Sequence, residues 1–131
     1  WKRRLTPFQY AVLRKAATER PFSSPLDTNY RPGVYRCIGC NWPLYSSKDK
    51  FDSHTGWPSF TRPISAQAVA YKQDLSMLMA RTEVHCASCG GHLGHVFNDG
   101  PPPTGQRHCL NSESLAFTEE GQLASLADPA A

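Results

Sequence analysis

Apolar and polar residues change period several times along this chain, and the changes mark its elements. Between Arg4 and Arg20 (RLTPFQYAVLRKAATER), Phe8, Val12 and Ala16 recur four residues apart with Leu13 beside them, one apolar stripe of a helix. Thr6 suits an N-cap, Pro7 suits the first helical position, and Pro21 ends the pattern. Residues 21–33 (PFSSPLDTNYRPG) have no period and predict a Pro- and Ser-rich loop. From there the period shortens to two. Val34-Tyr35-Arg36 predicts a strand entering a tight turn at Cys37–Cys40, and Leu44-Tyr45 starts a return strand. KFDSHTGWPSFTRPI (50–64) is aromatic and broken by Gly56, Pro58 and Pro63. AVAYKQDLSMLMARTEVHC (68–86) alternates over one or two strands, and HLGHVF gives a His-bearing strand. PPPTGQ is a loop, RHCLNSESLAFTEE gives one final strand, and the tail is weakly specified. The pattern predicts a mainly β, antiparallel fold with a short helical N-terminal segment.

Composition narrows this picture. A chain of 131 residues suits a single domain over 1–131, with 1–33 as a helical and loop extension packed on the β core. Eleven Pro and nine Gly argue against a helical bundle. The net charge of +3 is scattered, and its one dense run is Lys2-Arg3-Arg4. Without a basic or aromatic stripe, no nucleic-acid partner is expected. No stretch approaches the roughly 20 apolar residues of a membrane span, and no signal pattern opens the chain. A cytoplasmic location is therefore the expectation, although the chain begins with Trp1 and a trimmed targeting segment stays open.

Four of the five cysteines form two pairs of identical spacing, Cys37-x-x-Cys40 and Cys86-x-x-Cys89. Each pair is followed by a small or flexible residue, Asn41 or Gly90-Gly91. Two such turns give a tetrahedral zinc site with four thiolate ligands. Two disulfides would need an oxidising compartment, and a thioredoxin-like motif would need a βαβ context that is absent. A closed four-thiolate site leaves no position for substrate, so one structural Zn²⁺ per chain is expected.

Cys109 is left over. A lone cysteine is by default a small buried hydrophobe. Arg107 and His108 precede it, and positive charge nearby would lower its pKa. Asn111 follows at i+2, on the same face of a strand. HLGHVF supplies His92 and His95, and Cys with His is the minimum kit for a thiolate nucleophile with a proton donor. Residues three apart on an ideal strand face opposite ways, so both histidines reach one site only if Gly94 marks a bulge or turn. TGWPSF holds Trp57 between Gly56 and Pro58, as core or as the wall of a small pocket for a sulfur-bearing methyl group. Two other classes compete. A zinc-stapled binding module would leave Cys109 inert. A zinc hydrolase or deaminase would need a general-base Glu in a metal motif, and Glu19, Glu83, Glu113, Glu119 and Glu120 lie in none.

GVYRCIGCNWPLYSSKDKF, GWPSF, CASCGGHLGHVFNDGP and RHCLNSESLAF, in that order, resemble methionine sulfoxide reductase type B across roughly residues 4–120. The resemblance implies two antiparallel sheets, tent-like, with zinc opposite the active site. It implies reduction of methionine-R-sulfoxide, free or in proteins, as repair of oxidative damage. Cys109 would be the nucleophile and be left as a sulfenic acid. His95, with His92 close by, would protonate the oxygen, and Asn111 would hydrogen-bond in the same site. Trp57 and Phe97 would hold the substrate methyl, while Arg107 and Asp99 would form the charged surround. Thioredoxin or another thiol would be the reductant. Many members of that family carry a resolving cysteine just before GWP, where this chain has Thr55. Three routes stay open: direct reduction by an external thiol, a resolving cysteine outside this sequence, or one replaced by serine at Ser23 or Ser24.

Overall fold

The computed structural model describes residues 5–23, 25–74 and 81–120. Among these, α1 (Pro7–Lys15) precedes strands β1 (Gly33–Cys37), β2 (Pro43–Ser46), β3 (Lys50–Phe51), β4 (Ser59–Phe60), β5 (Val69–Asp74), β6 (Arg81–Cys86), β7 (His92–Phe97), β8 (Arg107–Leu110) and β9 (Leu115–Glu119). They form two antiparallel sheets, β2-β1-β9 and β3-β4-β8-β7-β6-β5; the period-two pattern predicts the antiparallel strands, and the family resemblance implies their division into two sheets. Buried rings join the sheets. Tyr35 of β1 meets Phe60 of β4 edge-on at 5.0 Å, and Tyr45 of β2 stacks on Phe60 at 4.7 Å. All three side chains are fully buried, and such pairs add to the area they bury. No helix among the described residues is long and apolar enough to cross a membrane.

The N-terminus departs from the sequence expectation. The helix does not run to Arg20 but stops at Lys15, with Ala16 left-handed at φ 57° and its N–H bonded to Ala11 O. Its start is as predicted: Pro7 opens it and Thr6 caps it in a reciprocal pair, Thr6 Oγ1 accepting from Gln9 N–H and Thr6 N–H donating to Gln9 Oε1. No breaker stands at Ala16; the segment after it is drawn away by bonds to distant loops, which periodicity cannot report. The buried side of α1 is Val12 and Leu13, whereas Phe8 is 44% exposed, so the predicted stripe is rotated.

The C-terminal region is also cut differently. RHCLNSESLAFTEE is two strands in two sheets, β8 and β9, separated by a 3₁₀ turn at Ser112–Ser114. Ser114 N–H closes that turn on Asn111 O at 3.0 Å. The polar NSES cluster is the signal for the break. The alternation over 68–86 resolves into β5 and β6, and residues 75–80 lie outside the described part.

Candidate active site and metal centre

β1 and β6 each end on the first cysteine of a pair. The two turns repeat one hydrogen-bond scheme. Cys37 N–H donates to Trp42 O and Asn41 N–H to Cys37 O; Cys86 N–H donates to Gly91 O and Gly90 N–H to Cys86 O. Each turn needs a left-handed residue at the same place, Asn41 at φ 68° and Gly90 at φ 74°. The scheme brings four sulfurs within 4.8 Å of one another, with Cys37–Cys89 at 3.7 Å and Cys40–Cys86 at 3.5 Å. All the cysteines are free thiols rather than disulfides. A tetrahedral ion with sulfur bonds near 2.3 Å needs thiolates about 3.8 Å apart, so the donor set fits a metal. The cluster ties the end of a strand in one sheet to the end of a strand in the other.

The fifth cysteine lies on β8, beside a cavity of ≈ 210 Å³. Strand pairing builds the site face. His95 stands directly opposite Cys109, and Phe97 opposite Arg107. Alternation then puts these four side chains on one face of the β7–β8 pair. His108 takes the other face, fully buried, with Tyr45 Oη donating to its Nδ1 at 2.8 Å. The close approach of the strands requires Gly94, where a Cβ would fall 2.0 Å from Cys109 O.

Pairing also settles the two histidines. β6 pairs Val84 with Gly94 and His85 with His92, so Leu93 is an extra residue on β7. This bulge, beside Gly94, brings the His92 and His95 rings to 5.5 Å, edge to face. His95 lines the cavity and His92 does not. His92 is buried behind it, its Nδ1 3.5 Å from Glu83 Oε1. Asn111 pins the bulge: its N–H and its Nδ2 both donate to Leu93 O, at 2.8 and 3.1 Å.

Two expectations about charge need correction. Burial pushes the Cys109 thiol up, with Arg107 opposing and Glu19 adding to the rise. His108 contributes no positive charge, because burial pulls its pKa down to about 4. Arg107 is itself anchored. Its guanidinium bonds both oxygens of Asp99, at 2.9 and 3.3 Å, and lies 4.4 Å above the Phe97 ring. The Arg107 hydrogen bond holds the Asp99 carboxyl below its usual range. Trp57, Phe97, Arg107 and Asn111 line the cavity; Asp99 reaches it only through Arg107.

Among the wall residues not foreseen as such are Thr18, Thr55, Arg81 and Leu110. Arg81 had no readable signal, since its place at the wall follows from the cross-strand pairing of Glu83 with His95. Glu19 had none either. It is 1% exposed and links three parts of the site. Its N–H donates to Asn111 Oδ1 at 3.0 Å, and its carbonyl accepts from Trp57 Nε1 at 3.0 Å. Its Oε1 accepts from Glu113 N–H at 2.9 Å. Burial raises its carboxyl pKa. The same segment is fastened by Phe22 N–H to Gly56 O at 2.7 Å, and Gly56 is obligatory at φ 90°, where a Cβ would meet Phe22 N at 2.7 Å. Ser23 spends its hydroxyl on Arg20 O at 2.6 Å and is not a wall of the cavity. Ser24 lies outside the described residues.

Comparison with known proteins agrees with this arrangement. Residues 5–119 match the SelR domain. The chain is 57% identical over 120 residues to the peptide methionine sulfoxide reductase MsrB of Methanosarcina mazei, covering 92% of this chain and 86% of that protein. It is 51% identical over 117 residues to the MsrB of Agrobacterium fabrum, covering 89% and 87% respectively. The MsrB of Bradyrhizobium diazoefficiens is 56% identical over 115 residues, covering 88% of this chain and 83% of that protein. Matches of this extent span both cysteine turns, the GWP loop and Cys109, and this chain therefore belongs to the SelR domain family, alongside the MsrB proteins.

Proposed function

We propose that this chain reduces methionine-R-sulfoxide to methionine, with Cys109 as nucleophile. The observation that carries the reading is the Cys109–His95 cross-strand pair on the wall of a cavity that Trp57 and Phe97 also line. The Cys109 thiolate attacks the sulfoxide sulfur, and a proton delivered from His95 to the oxygen lets the S–O bond break. The bond between the two sulfurs then breaks as the protonated oxygen passes to Cys109, leaving a sulfenic acid and free methionine. Two equivalents of an external thiol then return Cys109 to the thiol, releasing water and one disulfide. Proton delivery of this kind is typically worth about 10²–10⁴-fold. Arg107 opposes the desolvation of the thiolate, and Asp99 fixes Arg107. His92 sets the His95 ring from behind. Trp57 and Phe97 take the methyl group, a contact that sulfur-bearing groups make well with rings. An apolar wall and a proton donor on different sides of the sulfur would distinguish its two hands; the choice of the R epimer follows from kinship with the MsrB proteins.

The metal is zinc, one per chain, held by Cys37, Cys40, Cys86 and Cys89. Four thiolates are the usual structural set for it, and its role is to hold the sheets together. Direct reduction by an external dithiol of thioredoxin type fits this sequence, because the four other cysteines are metal ligands and the residue beside Cys109 is Thr55. Four zinc thiolates and a free nucleophilic thiol fit a reducing compartment, the cytoplasm. The test is turnover with dithiothreitol on the separated R and S epimers, using this protein and Cys109→Ser. R-epimer reduction that requires Cys109 is expected; reduction that survives its loss overturns the mechanism.

A further inference from the structure

We propose that Thr55, Ser53 and Ser59 form a chain of hydroxyls whose hydrogen bonds reverse direction when Cys109 ionises, stabilising its thiolate without moving a net proton. The inference rests on Cys109 being the nucleophile. Thr55 lines the cavity with Cys109, and its hydroxyl acts to lower the Cys109 pKa. Thr55 Oγ1 lies 2.8 Å from Ser53 Oγ, and Ser53 Oγ lies 2.7 Å from Ser59 Oγ. Ser59 is fully buried, sits opposite Cys109 in the β4–β8 register, and its hydroxyl donates to Trp57 O at 3.1 Å. The structure gives three links, Thr55 to Ser53, Ser53 to Ser59, and Ser59 to Trp57 O, and the proposal adds Cys109 to Thr55 as the fourth.

Proton counting decides how it works. Each hydroxyl has one proton to give. With Cys109 as a thiol, four protons serve four links, all pointing toward Trp57 O. When the thiol loses its proton to solvent, three protons remain. If the hydroxyls rotate, Thr55 donates to the thiolate, Ser53 to Thr55 and Ser59 to Ser53, and only Trp57 O gives up a partner. Four neutral links become two neutral links and one to an anion, and bonds to ions are the stronger. Each oxygen keeps its own proton throughout, so the step is a rotation and not a relay. This offsets part of the burial that holds Cys109 in the thiol form. The other groups facing that sulfur are Arg107 on its own strand, His95 on β7, Arg81 at the cavity wall from β6, and Glu19 from the N-terminal segment. None of them belongs to the chain. Thr55 touches the reacting sulfur; Ser53 and Ser59 are positioning residues that act through it.

The experiment is the pH dependence of Cys109 alkylation by iodoacetamide in the zinc-loaded protein, with Cys109→Ser as the blank. Thr55→Val should raise the alkylation midpoint by about one pH unit, the loss of one charge-assisted bond. Ser53→Ala, which leaves Thr55 in place, should raise it by a smaller but measurable amount, and Thr55→Ser should return it to the parent value. Metal content and melting temperature, followed in each variant, separate these shifts from loss of fold. A midpoint unmoved by Thr55→Val overturns the proposal. So does a midpoint moved by Thr55→Val and not by Ser53→Ala, since Thr55 would then act alone. Alkylation needs no sulfoxide, so its outcome is independent of whether the substrate assignment holds.

Discussion

The chain uses cysteine in two ways, and the two environments differ in what faces the sulfur. In the turns at Cys37–Cys40 and Cys86–Cys89, every sulfur has other sulfurs within 4.8 Å. Four thiolates in that space need a cation between them. On β8, Cys109 faces a guanidinium, a hydroxyl, an imidazole across the strand pair, and a cavity. The first environment neutralises its sulfurs, and the second leaves one buried sulfur poised for a ligand. β6 connects them, running from Arg81 at the cavity wall to Cys86 at the metal cluster. Five residue steps of strand span about 17 Å, so the metal is beyond reach of anything bound at Cys109. Spacing along the chain gathers four sulfurs; the face of a strand sets the fifth beside a cavity.

The sharpest way to break this contrast is to remove one member of each environment. Cys86→Ser, or a strong chelator, should unfold the protein, because a structural zinc is worth on the order of 10 kcal/mol, as much as the whole stability of a typical domain. Metal analysis and circular dichroism should show metal and fold lost together. A folded, metal-free protein would refute the stapling role. Cys109→Ser should abolish R-epimer reduction yet keep the metal and the melting temperature. If that variant also lost its metal, the two environments would not be independent.

A smaller effect tests the two faces of β8. His108 follows Arg107 in sequence but lies on the buried face, between Tyr45 and Gln106. Tyr45 Oη donates to Nδ1, and Nε2–H donates to Gln106 Oε1, which is a neutral ring. Its pKa is about 4 when folded, against roughly 6.5 in an unfolded chain. Below pH ~6.5 the unfolded state therefore binds a proton that the native state refuses. Stability is undiminished above that pH, falls as the pH drops, and has lost about 3 kcal/mol from this group by pH ~4. Denaturant melts of the parent and of His108→Gln, which keeps an acceptor for Tyr45, should differ in slope over this window. Parallel slopes would show that the ring is not neutral by burial.

What the sequence disclosed follows from period. Alternation predicts antiparallel strands and places Cys109 with Asn111 on one side of the chain. The Cys-x-x-Cys spacing predicts the metal cluster. What it hid depends on long-range bonds. The end of α1 at Lys15 has no local breaker, because Glu19 is captured by Asn111 and Trp57, 92 and 38 residues away. The His92–His95 juxtaposition turns on an extra residue, Leu93, that only cross-strand register reveals. The upward shift of Cys109 comes from burial, which outweighs the Arg107 charge that the sequence does show.

Glu19 is the finest test of the nucleophile's environment, because its main chain and its carboxylate do different things. The main chain holds Trp57 and Asn111; the carboxylate caps Glu113 N–H and raises the Cys109 thiol pKa. Glu19→Gln keeps the shape and the cap but removes the charge. It should lower the Cys109 alkylation midpoint by about half a unit while Trp57 fluorescence stays unchanged. It should also abolish a pH dependence of opposite sign to that of His108. An acid whose pKa is raised by folding stabilises the native state at low pH and loses that contribution as the pH rises through the folded value. Glu19→Ala deletes the cap as well, leaving the Glu113 N–H without its partner at a cost of about 1–3 kcal/mol. KM should change little, because the Glu19 main chain that holds Trp57 and Asn111 is retained. A Glu19→Gln variant whose midpoint rises would mean that the carboxylate organises the site through its hydrogen bonds more than it opposes the thiolate through its charge.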